Sequence, residues 1–213
     1  MSTESPAPTD KWYISYEIIH KLCQKAANEI KAQGKPVDLI IAIGGGGFIP
    51  ARILRSFIRE PNGKNIPIQA IGLSLYEQLG DKPTESIGKE VVRTQWLDFG
   101  NLNQHFDSLI GKNIIIVDEV DDSRTTLHYA LSELQKDVAE MQKQLGRESE
   151  ETTFQIFVLH NKLKPKRAEL PAELFEQNHY LVGENVEDRW IAYPWDAMDI
   201  DEHTDRARKQ GNI

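Results

Sequence analysis

The sequence predicts an α/β fold, a mainly parallel twisted sheet flanked by helices. Short, continuous apolar runs at residues 39–43 and 114–117 read as strands buried on both faces. Stretches with apolar residues at helical spacing alternate with them. A glycine-rich turn and an acid-and-hydroxyl turn follow two of the strands, at the ends where ligands of such sheets bind.

Residues 1–10 combine Ser, Thr, Pro and charge with little to bury, and are expected to form a disordered tail. Ser15 is placed to cap a helix running to about Ala32, where Gly34 and Pro36 end it. The stripe Ile18, Ile19, Leu22, Cys23, Ala26 and Ile30 makes Cys23 a core residue rather than a nucleophile. A strand at 38–43, a turn at 44–47, a helix at 48–59 and a strand at 66–73 compose a β-α-β unit. From residue 74 to 93 periodicity disappears among Gly80, Pro83 and Gly88, which predicts a mobile loop. A strand at 112–118 leads through a polar turn to a helix from Thr125, with Leu127, Ala130, Leu131, Leu134, Val138 and Met141 on one face. A strand at 153–160, shorter pieces up to Trp195 and a surface helix at 199–209 complete the chain.

With 213 residues the chain is the size of one domain or of one domain with a small appendage. One cysteine excludes an internal disulfide framework, no residue set has zinc-ligand spacing, and no apolar run is long enough to cross a bilayer. A cytoplasmic protein is expected. Lys+Arg 25 against Asp+Glu 33 gives a net charge of −8, which disfavours sequence-independent nucleic-acid binding. Any polyanion must find a locally positive site, supplied by backbone N–H groups at helix starts or by a divalent cation.

The richest segment runs Ile-Ile-Ile-Val-Asp-Glu-Val-Asp-Asp-Ser-Arg-Thr-Thr over residues 114–126. An apolar strand delivers Asp118 and Glu119, then Asp122, then the hydroxyls of Ser123, Thr125 and Thr126 as a helix begins. Free N–H groups and small hydroxyls at a helix start suit a phosphate monoester, and adjacent carboxylates suit vicinal ribose hydroxyls, directly or around Mg²⁺. Here the chain resembles the type I phosphoribosyltransferases, whose phosphoribosyl-pyrophosphate signature has this layout. The resemblance assigns Asp118, Glu119, Asp122, Ser123, Arg124, Thr125 and Thr126 to the ribose phosphate. In the family the loop usually contains glycine where this chain has Arg124 and Thr125.

In Gly44-Gly-Gly-Gly-Phe-Ile-Pro-Ala-Arg52, successive glycines let the backbone approach an anion closely. The Lys-Ser/Thr ending of a Walker loop is missing, and Ile49 stands at the third glycine of a dinucleotide fingerprint. The resemblance implies a pyrophosphate subsite lined by Gly45, Gly46 and Gly47, with Arg52 either adding charge or serving a structural ion pair. Residues 188–196, Asp-Arg-Trp-Ile-Ala-Tyr-Pro-Trp-Asp, suit base stacking and a hydrophobic corner equally well. The resemblance to purine phosphoribosyltransferases makes Trp190 the stacking residue, Ile191 the backbone reader of the base and Asp196 an acid linked to Mg²⁺. It also implies a lysine for the purine 6-oxo group: Lys162, with His160 as its rival.

The resemblance further implies a small C-terminal hood, so that residues 11–160 form the core with its loop at 74–93, and residues 161–213 the base-binding hood and tail. Ser74 and Tyr76 resemble the start of the family's lid, with Arg93 as its returning anchor. The implied reaction joins a 6-oxopurine to the ribose of phosphoribosyl pyrophosphate with release of pyrophosphate. Asp122 would accept the purine proton, with Mg²⁺ held by Asp118, Glu119 and Asp196. Xanthine is the expected base, with hypoxanthine and guanine as the alternative and a non-catalytic binder as a third possibility. A homo-oligomer is expected.

Overall fold

The computed structural model describes residues 11–59, 63, 65–76, 90–97 and 109–213. Its elements are β1 (Trp12–Tyr13), α1 (Tyr16–Ala32), β2 (Leu39–Gly44), α2 (Phe48–Phe57), β3 (Ile68–Tyr76), β4 (Glu90–Gln95) and β5 (Asn113–Asp121). They continue with α3 (Thr125–Leu145), β6 (Thr153–Lys162), α4 (Ala172–Glu176), β7 (Tyr180–Val186), β8 (Ile191–Ala192), a 3₁₀ turn (Pro194–Asp196) and α5 (Ile200–Lys209). The expected tail at 1–10 lies outside the described residues.

Six strands form one sheet in the order β4-β3-β2-β5-β6-β7. All neighbours run parallel except the edge pair β3–β4. Alternating side chains feed two cores. Ile41, Ile43, Ile114, Ile116, Ile156 and Val158 pack with α3 on one face, and Ile40, Ala42, Ile115, Val117, Phe157 and Leu159 pack with α1 and α2 on the other. The apolar runs read from the sequence are therefore the strands covered on both sides. The Ser15 side chain accepts the Ile18 N–H at the start of α1, as a helix cap should. Cys23 donates weakly to the Pro50 carbonyl at 3.7 Å, and burial pushes its thiol up to about 12, so it is an inert packing residue.

Several expectations need correction. The aperiodic stretch begins later and ends earlier than the sequence suggests: Ser74 and Tyr76 belong to β3, and residues 90–93 belong to β4. The two pair antiparallel, with Tyr76 opposite Glu90. Residues 77–89, the rest of the expected lid, lie outside the described residues. β4 is fixed to α3 by Arg93, which pairs with Glu133, donates to the Tyr129 hydroxyl at 3.0 Å and lies 4.1 Å over the Trp96 ring. Helix α5 is the expected surface helix, held by one face: Ala207 and His203 are buried, and His203 Nε2 is 2.8 Å from the Ile14 carbonyl.

The expected boundary at residue 160 falls inside β6, and β7 extends the same sheet. A second, two-stranded sheet joins β1 to β8, with Trp12 opposite Ile191. The chain's first described residues thus pack with its C-terminal part.

Candidate active site

Chain order and sheet order reverse between β2 and β5: β2 leads to β3 on one side, and β5 leads to β6 and β7 on the other. A crevice opens beyond the carboxyl ends of strands at such a point. It holds a cavity of about 460 Å³ lined by Ile43 and Gly44 from β2, Leu73 from β3 and residues 118–124 after the body of β5. Thr126 and Leu127 from α3 and Lys164, Pro165 and Arg167 beyond β6 complete it.

Strand β5 runs three residues further than the sequence reading, so Asp118 and Glu119 are strand residues, and both line the cavity. Asp118 Oδ1 accepts the Glu119 N–H at 2.8 Å. Burial, and the neighbouring Glu119 carboxylate, raise the Asp118 carboxyl well above the usual range. Among the described residues no cation is ion-paired with either acid. Glu119 faces the glycine turn, where a Cβ at Gly46 would collide with its carboxylate. The turn starts α2 with no side-chain cap, and a Cβ at Gly47 would lie 2.6 Å from the Ile43 carbonyl oxygen. Gly44 lines the cavity, and Gly46 meets it through Glu119. Arg52 hydrogen-bonds Ser56 on its own helix at 2.8 Å.

Asp122 sits among lysines. Lys164 Nζ is 2.7 Å and Lys162 Nζ 3.3 Å from its carboxylate, and both also reach Asp188, at 3.0 and 3.5 Å. Burial alone would raise the Asp122 carboxyl, but the hydrogen bond from Lys164 and the charge of Lys162 outweigh it and hold the group below its ordinary value. Asp122 is therefore an ionised carboxylate at neutral pH.

Helix α3 starts on this loop. Arg124 stands at its N-cap with φ 69°, in the left-handed region, and makes no side-chain cap bond. The Ser123 hydroxyl is 3.1 Å from that of Thr125 and accepts the Thr125 N–H at 3.4 Å. The N–H groups of Thr126 and Leu127 are left without an intrahelical acceptor and border the cavity. Ser123, Arg124 and Thr126 line it, whereas Thr125 does not.

Trp190, Ile191 and Asp196 line a different cavity of about 500 Å³, together with Tyr13, Tyr193, His203 and Arg206. The structure therefore does not gather the expected base-binding set around the phosphate loop. Nor do Asp118, Glu119 and Asp196 form a three-ligand cluster: among the described residues no three such groups are placed to hold a metal. Tyr193 links the two regions. It lines the second cavity, and its hydroxyl donates to the Glu119 carbonyl at 3.1 Å. With that proton committed, His160 Nδ1 must be the donor to the Tyr193 oxygen across 2.8 Å. His160 is fully buried beneath Trp12, and burial lowers its imidazole to about 4. His160 is therefore a neutral structural residue and no rival to Lys162 for a base contact. Trp190 is 63% exposed, leaving a face free for stacking.

The sequence reading missed three residues here: Tyr193, which ties the segment after β8 to β5; Asp121, the buried acid at the end of β5; and Tyr180, which donates to Asp121 at 2.5 Å. Tyr193 lies inside the aromatic segment already singled out. Asp121 stands in the acid run, and nothing local marks Tyr180.

No family model matches the chain. It is 63% identical over 207 residues to Xanthine phosphoribosyltransferase 1 of Saccharomyces cerevisiae, covering 97% of this chain and 99% of that protein. It is 59% identical over 202 residues to the Hypoxanthine-guanine phosphoribosyltransferase of Schizosaccharomyces pombe, covering 94% and 96%. Among solved structures, a hypothetical protein from Neisseria gonorrhoeae with bound ppGpp superposes with a TM-score of 0.73 at 38% identity, over 96% of this chain and 99% of that one. A purine phosphoribosyltransferase from Pyrococcus horikoshii shares the fold, with a TM-score of 0.60 at 21% identity over 89% and 97%. On the strength of the near full-length identity and the strand-end site, the chain belongs to the purine phosphoribosyltransferase family.

Proposed function

We propose that this protein converts xanthine and phosphoribosyl pyrophosphate to xanthosine 5'-monophosphate and pyrophosphate in purine salvage. The observation that carries the reading is one cavity holding both the acids of β5 and the first turn of α3, with the glycine turn behind Glu119. The relatives' names support a 6-oxopurine acceptor, and the 63% match favours xanthine over the hypoxanthine and guanine indicated by the 59% match.

In this reading the 5-phosphate rests on the N–H groups of Thr126 and Leu127 and the hydroxyls of Ser123 and Thr126. Asp118 and Glu119 face the ribose hydroxyls. Two adjacent carboxylates with no ion-paired cation among the described residues suit a hard divalent ion that keeps waters and shares its ligands with substrate phosphates, so the residues fit Mg²⁺ without a full protein cage. Bound there, Mg²⁺ would neutralise charge on the departing pyrophosphate. Gly45, Gly46 and Gly47 offer the pyrophosphate a backbone without side chains.

A purine nitrogen bonds to the anomeric carbon as the carbon–oxygen bond to pyrophosphate breaks, and the purine must shed a proton. Asp122 would accept that proton. Its two lysines make it a weak base until one leaves. Lys162 turning to the 6-oxo group would remove a positive charge from Asp122 and raise its proton affinity as the base arrives. Trp190 would stack on the base, Ile191 would read its edge, and Asp196 belongs to that side of the site. Ser74 and Tyr76 keep their proposed role at the base of the lid.

Steady-state nucleotide formation with Mg²⁺, phosphoribosyl pyrophosphate and each of xanthine, hypoxanthine, guanine and adenine tests the reading. The highest kcat/KM is expected with xanthine. Preference for hypoxanthine and guanine would overturn the substrate, and absence of product with every base would overturn catalysis itself.

A further inference from the structure

The third acid of β5, Asp121, takes no direct part in the proposed chemistry, yet its side chain is wholly buried and carries three partners. Arg124 Nε lies 2.9 Å away, the Tyr180 hydroxyl 2.5 Å and Lys166 Nζ 3.4 Å. The Arg124 guanidinium continues over the rings of Phe175, at 5.5 Å, and Tyr180, at 5.3 Å. Only 11% of the Arg124 side chain is exposed. Its charge is thus spent behind the loop, on a carboxylate and two aromatic faces. Burial raises the Tyr180 hydroxyl, and so do the charge of Asp121 and the hydrogen bond to it, which keeps Tyr180 a proton donor.

The backbone of residue 124 adopts a left-handed conformation that residues with a Cβ rarely take and glycine takes freely. From the same side, Lys166 donates to the carbonyls of Asp121 at 2.7 Å, Asp122 at 3.1 Å and Lys162 at 2.9 Å, and the Arg167 N–H reaches the Ser123 carbonyl at 3.0 Å. Residues 121–124 are therefore held from outside by the segment 162–180, leaving their inner surface to the cavity.

We propose that Arg124 is a positioning residue: clamped by Asp121, Phe175 and Tyr180, its side chain locks the left-handed turn that aims residues 122–126 at the ribose phosphate. A glycine reaches this turn because nothing forbids it, but it is equally free to leave. Arginine reaches it because its side chain is tied down, so here the loop is preorganised by a clamp. The proposal rests on the phosphoribosyltransferase reading for its kinetic part alone.

The test compares the parent protein with Arg124→Gly, which relieves the backbone but deletes the clamp, and with Tyr180→Phe, which removes a hydroxyl absent from the cavity lining. Amide hydrogen exchange across residues 121–126 is measured without ligand, together with KM for phosphoribosyl pyrophosphate and for the purine. Arg124→Gly is expected to exchange at least tenfold faster in the loop. Its KM for phosphoribosyl pyrophosphate should rise about tenfold, with under twofold change for the purine. Tyr180→Phe should move exchange and KM in the same direction, about threefold. Parental exchange and KM in Arg124→Gly would overturn the clamp. A defect in Arg124→Gly beside a parental Tyr180→Phe would overturn it too, because the guanidinium would then act on the phosphate directly. Should the parent fail to consume phosphoribosyl pyrophosphate, the functional reading falls while the exchange comparison still decides the clamp.

Discussion

A missing side chain serves two different ends at Gly46 and Gly47. An added Cβ at Gly47 would meet the carbonyl oxygens of Ile43 and Val117, on two adjacent central strands that have no room to give. At Gly46 its nearest neighbours would be the carboxylate atoms of Glu119, which can swing aside. Gly47→Ala is therefore expected to cost about 1–3 kcal/mol of stability by denaturant titration. Gly46→Ala should unfold within about 0.5 kcal/mol of the parent, yet lose at least tenfold in kcat/KM for phosphoribosyl pyrophosphate because Glu119 is displaced. Parental kinetics in Gly46→Ala would sink the placement of Glu119 at the ribose hydroxyls. Residues whose partners are adjacent in sequence, such as Asp118 and Ser123, could be singled out from their order alone. Arg124 carried half a signal: standing where related chains have glycine, it marked a left-handed turn, but its partners Phe175 and Tyr180 come some fifty residues later and leave no local trace.

Elements governed by local physics match the sequence closely. Helix α1 begins after Ser15 and buries Ile19, Cys23, Ala26, Ala27 and Ile30, a stripe set by helical periodicity and one cap. Ser15→Ala should destabilise the protein by about 1 kcal/mol in denaturant, with Ser15→Thr retaining most of it. Equal stability of the parent and Ser15→Ala would mean that packing alone fixes the helix start. Strands β2, β5 and β6 were legible because burial on both faces forces continuous apolar runs. The edge strand β4, Glu-Val-Val-Arg-Thr-Gln, was not, because an edge exposed to solvent need not be apolar and its pairing with β3 spans residues 77–89. The two-residue strands β1 and β8 were illegible for a different reason. Their hydrogen bonds join Trp12 to Trp190 and Ile14 to Ala192, contacts that no window along the chain contains.

Across the whole molecule, the N-terminal strand, the segment after β8 and the central sheet meet at His160. Trp12 packs its ring edge against the imidazole at 5.6 Å between centroids, Tyr193 accepts its proton, and the Tyr193 hydroxyl reaches the Glu119 carbonyl of β5. Burial holds the folded imidazole down at about 4, whereas in the unfolded chain it titrates near 6.5. Between those two values the unfolded chain binds a proton that the folded one refuses, so stability must fall as pH drops through this window and become independent of His160 above it. The full effect is on the order of 3 kcal/mol. Asp118 works the other way, because its raised carboxyl favours the folded state at low pH and loses that share as pH rises. The difference between the parent and His160→Gln isolates the histidine. Denaturant titrations from pH 4 to pH 7 should show the variant less stable at pH 7, where it has lost a fitted ring, with a flatter profile, so that the two curves converge or cross on acidification. Parallel curves would mean that the imidazole is solvated in the folded state and that the three parts of the molecule do not close over it.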